Sequence, residues 1–67
     1  MESLRTHISA PYKAYNGATI TCQAHINTYN RIQDNINGWI NAGRDVPEHL
    51  LYESHRHFVT MCDIAKN

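Results

Sequence analysis

The chain has 67 residues, and its six lysine and arginine residues balance six aspartate and glutamate residues. A chain this short buries only about 60% of its unfolded surface, so such chains usually gain stability from disulfides, a metal or a second copy of themselves. The lack of a basic cluster argues against nucleic-acid binding, and charged residues among the first twenty exclude a secretory signal. We expect a cytoplasmic protein with two reduced cysteines and no membrane span.

The first predicted element is ambiguous, because the stretch AYNGATITCQ at residues 14–23 fits two structures. The pair Asn16-Gly17, followed by β-branched residues, is typical of a two-residue β-hairpin turn. However, the helical pattern of the next segment extends back through Tyr15 and Ala18. A lone hairpin is marginal in water unless something packs on it. We therefore favour a helix that starts near residue 10 or near residue 19, and we keep the hairpin as the alternative.

The next segment has the periodicity of an amphipathic helix that ends near residue 42. Side chains able to pack in a core recur at a spacing of seven in two rows. The rows are Cys22, Tyr29 and Ile36, and His25, Ile32 and Trp39. Four asparagines between residues 27 and 37, together with Gly38, lower the intrinsic helix propensity of the segment. Tertiary packing must therefore stabilise this helix.

The stretch NAGRDVPEHLL at residues 41–51 separates this helix from a second one. Gly43 suits the left-handed residue that follows a helix C-terminus. Asp45 and Glu48 have the form of a capping box, and Pro47 is tolerated in a first helical turn. Beyond them, apolar residues again recur at a spacing of seven, which predicts a second amphipathic helix over residues 46–65.

Two helices joined by a short link favour antiparallel packing, so the sequence predicts an all-α helical hairpin. Its helices span about 10 or 19 to 42 and 46–65, within a single small helical domain over residues 1–67. Residues 1–9 are expected to form a flexible tail or a short turn of helix. A first helix from residue 10 would be longer than the second and would leave part of its aromatic stripe uncovered. We therefore predict that two copies pair into a four-helix homodimer.

Two sets of residues have side chains that commonly bind metals. They are His49, Glu53 and His57 along one face of the second helix, and Cys22, His25 and Cys62 across the predicted hairpin. The first set would let a metal or a proton be shared between neighbouring turns, and the second would suit zinc. Metal sites generally require three or four convergent ligands, which weakens the first set. The spacing of the second set matches no closed zinc motif, and cysteine is often buried without a ligand. We therefore expect a solvated face and core packing respectively, with no metal or other cofactor.

The aromatic residues give the strongest indication of function. Four tyrosines, one tryptophan and one phenylalanine exceed what one helical hairpin can enclose, and tyrosine and tryptophan are enriched at protein interfaces. Ser54 and His57 lie one turn apart, but no third group or oxyanion site accompanies them. We expect a non-enzymatic protein that binds another protein as a regulator or inhibitor. The predicted interface consists of Tyr12, Tyr15, Ala18, Cys22, Tyr29, Ile32, Ile36, Trp39 and Phe58.

Two other functions stay open at this point. The first is a small nucleic-acid-associated or transcription-related helical protein that would use Arg31, Arg44 and Arg56. Its binding would weaken steeply with salt, because phosphate contacts release counterions. The second is a metal-responsive or pH-responsive switch built on the histidines. Neutral chains of this length are often accessory proteins of bacteriophages or other mobile elements. This association rests on length and charge, and no particular residue indicates it.

Overall fold

The structure, a computed structural model that describes residues 3–67, contains two packed helices and a small sheet. Helix α1 spans Gln23–Asn41 and helix α2 spans Glu48–Lys66. Strands β1, Tyr12–Lys13, and β2, Thr19–Ile20, pair antiparallel. About 58% of the described residues are helical, so the prediction of a mostly helical fold is confirmed, with the sheet as an addition.

Residues 10–18 do not form a helix, so the prediction of a first helix from residue 10 was wrong, and the alternative hairpin is confirmed. A helix start at residue 19 was also too early, because that residue belongs to β2. Cys22 keeps an extended backbone and is the N-cap residue of α1, where its carbonyl accepts a hydrogen bond from the Ile26 N–H. Strand β2 packs against α2, which supplies the support that a lone hairpin lacks.

The hairpin turn differs from the two-residue type that the Asn-Gly pair predicted. Only the glycine of the pair has a positive φ, +83° at Gly17. The Gly17 N–H donates to the Ala14 carbonyl, and the Ala14 N–H donates to the Ala18 carbonyl, which closes a three-residue loop. The Asn16 side chain accepts from the Ala18 N–H and fixes the turn from within. This is the three-residue hairpin in which a left-handed glycine follows a turn.

Both helix ends at the link between α1 and α2 follow from local chemistry. Gly43 has a φ of +71°, and the N–H groups of Gly43 and Arg44 donate to the carbonyls of Ile40 and Trp39. This Schellman motif confirms the predicted end of the first helix. The predicted capping box was wrong, because Pro47 is the N-cap residue of α2 and no side chain caps it. Proline disfavours helical backbone in the residue before it, so α2 starts after Pro47 and not near Asp45.

The core lies where the hairpin meets both helices. Its buried members are Ala14, Ile20, Ile26, Met61 and Cys62. A second pair of buried residues, Ile36 and Leu50, lies nearer the link between the helices. The two helices have 19 residues each, so the unequal lengths on which the predicted four-helix pairing partly rested do not exist. Within residues 3–67, neither helix is long and apolar enough to cross a membrane.

The segment before the hairpin is neither a free tail nor a turn of helix within the described residues. Its backbone hydrogen-bonds to two asparagine side chains of α1: Arg5 pairs with Asn37, and Ile8 pairs with Asn30. Between them, His7 Nε2 lies 2.5 Å from a carboxylate oxygen of Asp34. We call residues 5–8 the strap. The predicted tail also included residues 1 and 2, which lie outside the described residues.

Candidate protein-binding surface

Four aromatic rings from different elements meet beside the hairpin, and we call them the aromatic cluster. They are Tyr12 of β1, Tyr15 of the turn, Tyr29 of α1 and Phe58 of α2. Phe58 is the centre, with ring centroids 6.1 Å from Tyr12, 6.2 Å from Tyr15 and 5.7 Å from Tyr29. Tyr15 stacks on Phe58 at an interplanar angle of 26°, whereas Tyr12 meets it edge-on. These geometries are the favourable ones for aromatic pairs.

Tyr15 is the outermost ring of this cluster. Its side chain is 77% exposed, although one face stacks on Phe58. The three-residue turn carries it, and the other three rings are half-buried beneath it. An exposed tyrosine held on a packed base loses little conformational freedom when it binds, so it suits a contact with another protein.

A buried polar network supports the cluster from inside. Ser54 of α2 donates a hydrogen bond of 2.5 Å to the side-chain carbonyl of Gln33 of α1, and both residues are buried. The Tyr29 hydroxyl lies close enough to Ser54 for the Ser54 side chain to affect its pKa. Burial raises the pKa of the Tyr29 hydroxyl above its ordinary value, and the neighbouring Ser54 side chain opposes this shift. Because each buried group needs its partner, the network fixes how α1 and α2 pack and thereby places Tyr29.

The structure separates the members of the predicted cysteine and histidine set. Cys22 is an exposed N-cap residue, whereas Cys62 is fully buried in the core, where desolvation raises the pKa of its thiol. His25 instead lies beside His57, with ring centroids 6.1 Å apart, and its carbonyl is 3.1 Å from His57 Nε2. Cys22 and His25 share the lining of a cavity of about 210 Å³ with Met61.

The other candidate set, His49, Glu53 and His57 on α2, does not share one site. Glu53 and His57 line an open cleft between the helices of about 420 Å³, which His49 does not line. Tyr52 and Arg56 line the same cleft, and the Arg56 guanidinium carbon lies 5.8 Å from the centre of the Tyr52 ring. Across residues 3–67, no three histidine, cysteine, aspartate or glutamate side chains form a group that could hold a metal ion.

The nine predicted interface residues do not form one surface, and they fall into three groups. Four of them form the aromatic cluster. Ala18 and Ile36 are buried in the chain's own core and offer no surface to a partner. The remaining three lie elsewhere: Cys22 at the start of α1, Ile32 in the cleft, and Trp39 in a separate cavity of about 230 Å³ near the end of α1.

Several polar residues that shape this surface were not singled out from the sequence. Gln33 and Ser54 fall among the apolar positions of their helices, and that placement was the available signal for a buried polar pair. Asn30 and Asn37 were treated only as poor helix formers. Their spacing of seven places both on one helix face, but nothing in that spacing indicates a backbone partner more than twenty residues away.

The three arginines proposed for nucleic-acid contact are all exposed, Arg31 and Arg44 on and after α1 and Arg56 on α2. They belong to a chain with no net charge. No protein-family model matches the chain, and no curated protein or solved structure matches it either.

Proposed function

We propose that this chain is a small non-enzymatic protein that binds another protein and acts as its regulator or inhibitor. The observation that supports this proposal is the aromatic cluster, in which an outer tyrosine is stacked on a phenylalanine and backed by a buried polar network. Binding energy at protein interfaces is concentrated in a few such anchors, and tyrosine is among the commonest.

The surroundings of Ser54 and His57 favour binding over catalysis. Ser54 is buried, and its hydroxyl donates to Gln33, so it is not available to attack a substrate in solvent. His57 Nε2 lies instead beside the carbonyl of His25. The cleft that His57 lines is open, and an open cleft does not exclude water from a reaction.

The test compares two exposed tyrosines. Tyr15→Ala removes the outer ring of the aromatic cluster, whereas Tyr52→Ala removes a ring that is 63% exposed and lies beside Arg56 in the cleft. A partner captured from the native host by the wild-type chain should be bound at least tenfold more weakly by the Tyr15 variant, and within about twofold of normal by the Tyr52 variant. Equal losses, or none, would contradict the proposed surface.

A homodimer is a further part of the proposal. Its support is the exposure of large apolar side chains, namely Leu4, Tyr15, Tyr52 and Ile64. A second copy could cover such side chains through a two-fold contact. Light scattering at micromolar concentration should then give twice the chain mass, and the thermal midpoint should rise with protein concentration. A monomeric mass with a concentration-independent midpoint would exclude the dimer, and the proposal that a different protein binds the aromatic cluster would stand on its own test.

A further inference from the structure

Side chains of α1 hold the strap by hydrogen bonds to the strap's backbone. The Arg5 N–H donates to the Asn37 side-chain oxygen at 2.7 Å, and the Asn37 side-chain amide donates back to the Arg5 carbonyl at 2.8 Å. Ile8 and Asn30 make the same pair of bonds, each 2.9 Å long. Each asparagine thus satisfies both backbone groups of one residue, as a neighbouring strand would in a sheet.

The spacing of the two asparagines matches an extended chain. Seven helical residues separate Asn30 from Asn37, a rise of about 10.5 Å at 1.5 Å per residue. Three residues separate Arg5 from Ile8, and an extended chain covers about 10 Å over that distance. The strap therefore runs antiparallel to α1, and both asparagines can bind its backbone at the same time. This face of α1, with Asn30, Asp34 and Asn37, fits any extended segment that presents its backbone in the same way.

The strap is an imperfect ligand for this face. The residue opposite Asp34 is His7, which carries a positive charge only when protonated, and both side chains are more than half exposed. Leu4, which directly precedes the strap, is 57% exposed, and Ile8 within the strap is only half-buried against the core. The four backbone bonds of the strap are only part-buried, and segments with few buried apolar contacts are the ones that open locally in native proteins.

We propose that this face of α1 is a binding site for an extended peptide segment of another protein, and that the strap is an intramolecular ligand which the peptide displaces. The peptide would carry arginine or lysine opposite Asp34, because a permanent cation improves on histidine there. It would carry an apolar residue directly after that cation, in the place of Ile8. This site is separate from the aromatic surface proposed above, and its test does not depend on that proposal.

The test uses the full chain labelled with ¹⁵N and a synthetic peptide with the sequence of residues 4–10 carrying His7→Arg. The peptide should shift the side-chain amide signals of Asn30 and Asn37, and it should speed hydrogen exchange at the backbone amides of Arg5 and Ile8. A control peptide that is N-methylated at the Arg5 and Ile8 nitrogens keeps the same side chains. It cannot donate to the asparagines, so it should not bind.

Two variants of the chain separate the strap from its receptor. Arg5→Pro removes one backbone donor from the strap and leaves α1 unchanged, whereas Arg5→Ala removes the same side chain but keeps the donor. The proline variant should bind the peptide about two- to tenfold more tightly than the alanine variant. Its strap has lost one hydrogen bond to α1 and therefore competes less well with the peptide. Asn37→Ala should weaken peptide binding in either background.

Four results would overturn the proposal. The first is that the proline variant does not bind the peptide at millimolar concentration, and the second is that the N-methylated peptide binds equally well. The third is that straps exchange between two copies in a mixture of labelled and unlabelled chains. The fourth is that the strap amides exchange hydrogen as slowly as the core amides. If the proline variant does not fold, the last result decides alone in the wild-type chain. Amides of Arg5 and Ile8 that exchange as slowly as that of Ile26 would mean that the strap never opens short of global unfolding.

Discussion

Replacing Gly17 with alanine should destabilise the protein by about 1–2 kcal/mol. The φ of Gly17 is +83°, and a Cβ at this position would meet no atom within 4 Å, so no clash contributes to the cost. What remains is the strain of an L-residue in the left-handed region, which is about 1–2 kcal/mol per residue. Urea denaturation followed by circular dichroism at 222 nm measures this change as a lower midpoint.

Gly38 offers the matched control, because the same substitution there should have the opposite effect. Gly38 lies inside α1, and a Cβ would again meet no atom within 4 Å. Alanine at this position should stabilise the helix by about 0.8–1 kcal/mol. If both substitutions stabilise the protein, residues 14–18 are helical and the hairpin is refuted. If both destabilise it, something outside the single chain packs against Gly38.

Three other predictions concern the buried groups and metal. Burial places the pKa values of Cys62 and Tyr29 above their ordinary values of 9.0 and 10.0, so the stability these groups confer is complete below about pH 9 and is lost as the pH rises further. The unfolding free energy, measured from pH 8 to 11, should therefore fall, and Cys62→Ala should flatten the first part of that fall. Gln33→Leu should cost about 1–3 kcal/mol, because it leaves the buried Ser54 hydroxyl without its acceptor, and Ser54→Ala in the same chain should recover part of the loss in a double-mutant cycle. A chelator should leave the circular dichroism spectrum and the thermal midpoint unchanged; a cooperative loss of helix would refute this.

The helix boundaries around the link were the part of the fold that local chemistry could predict. Gly43 ends α1 because a residue there must adopt positive φ, and that requirement is visible in the sequence. The start of α2 was misjudged by about two residues, because the capping-box pattern of Asp45 and Glu48 outweighed a simpler constraint. The residue before a proline avoids helical backbone, so Pro47 alone sets the earliest start.

The hairpin was harder to predict because its residues satisfy two periods at once. Tyr15 and Ala18 fall on the helical rows, yet Ala18 and Ile20 are both buried, with exposed Thr19 between them, which is the alternation of a strand. Packing against α2 decides between the two, and that contact joins residues about forty positions apart, beyond the reach of a local pattern.

The strap and the aromatic cluster are separate sites that pack against the same core, and this shared core gives each a way to affect the other. Ile8, Tyr29 and Phe58 each pack against this core, so opening of the strap uncovers apolar surface of the core against which the two half-buried rings also pack. A peptide that displaced the strap without an apolar residue in place of Ile8 would leave that surface in water, at a cost of about 25 cal/mol per Å². When the strap is open and no peptide is bound, a second apolar surface that covers the exposed core would remove this cost. Strap opening should therefore strengthen binding at the aromatic cluster, and Arg5→Pro and Tyr15→Ala should show non-additive effects on the affinity for a partner that contacts both.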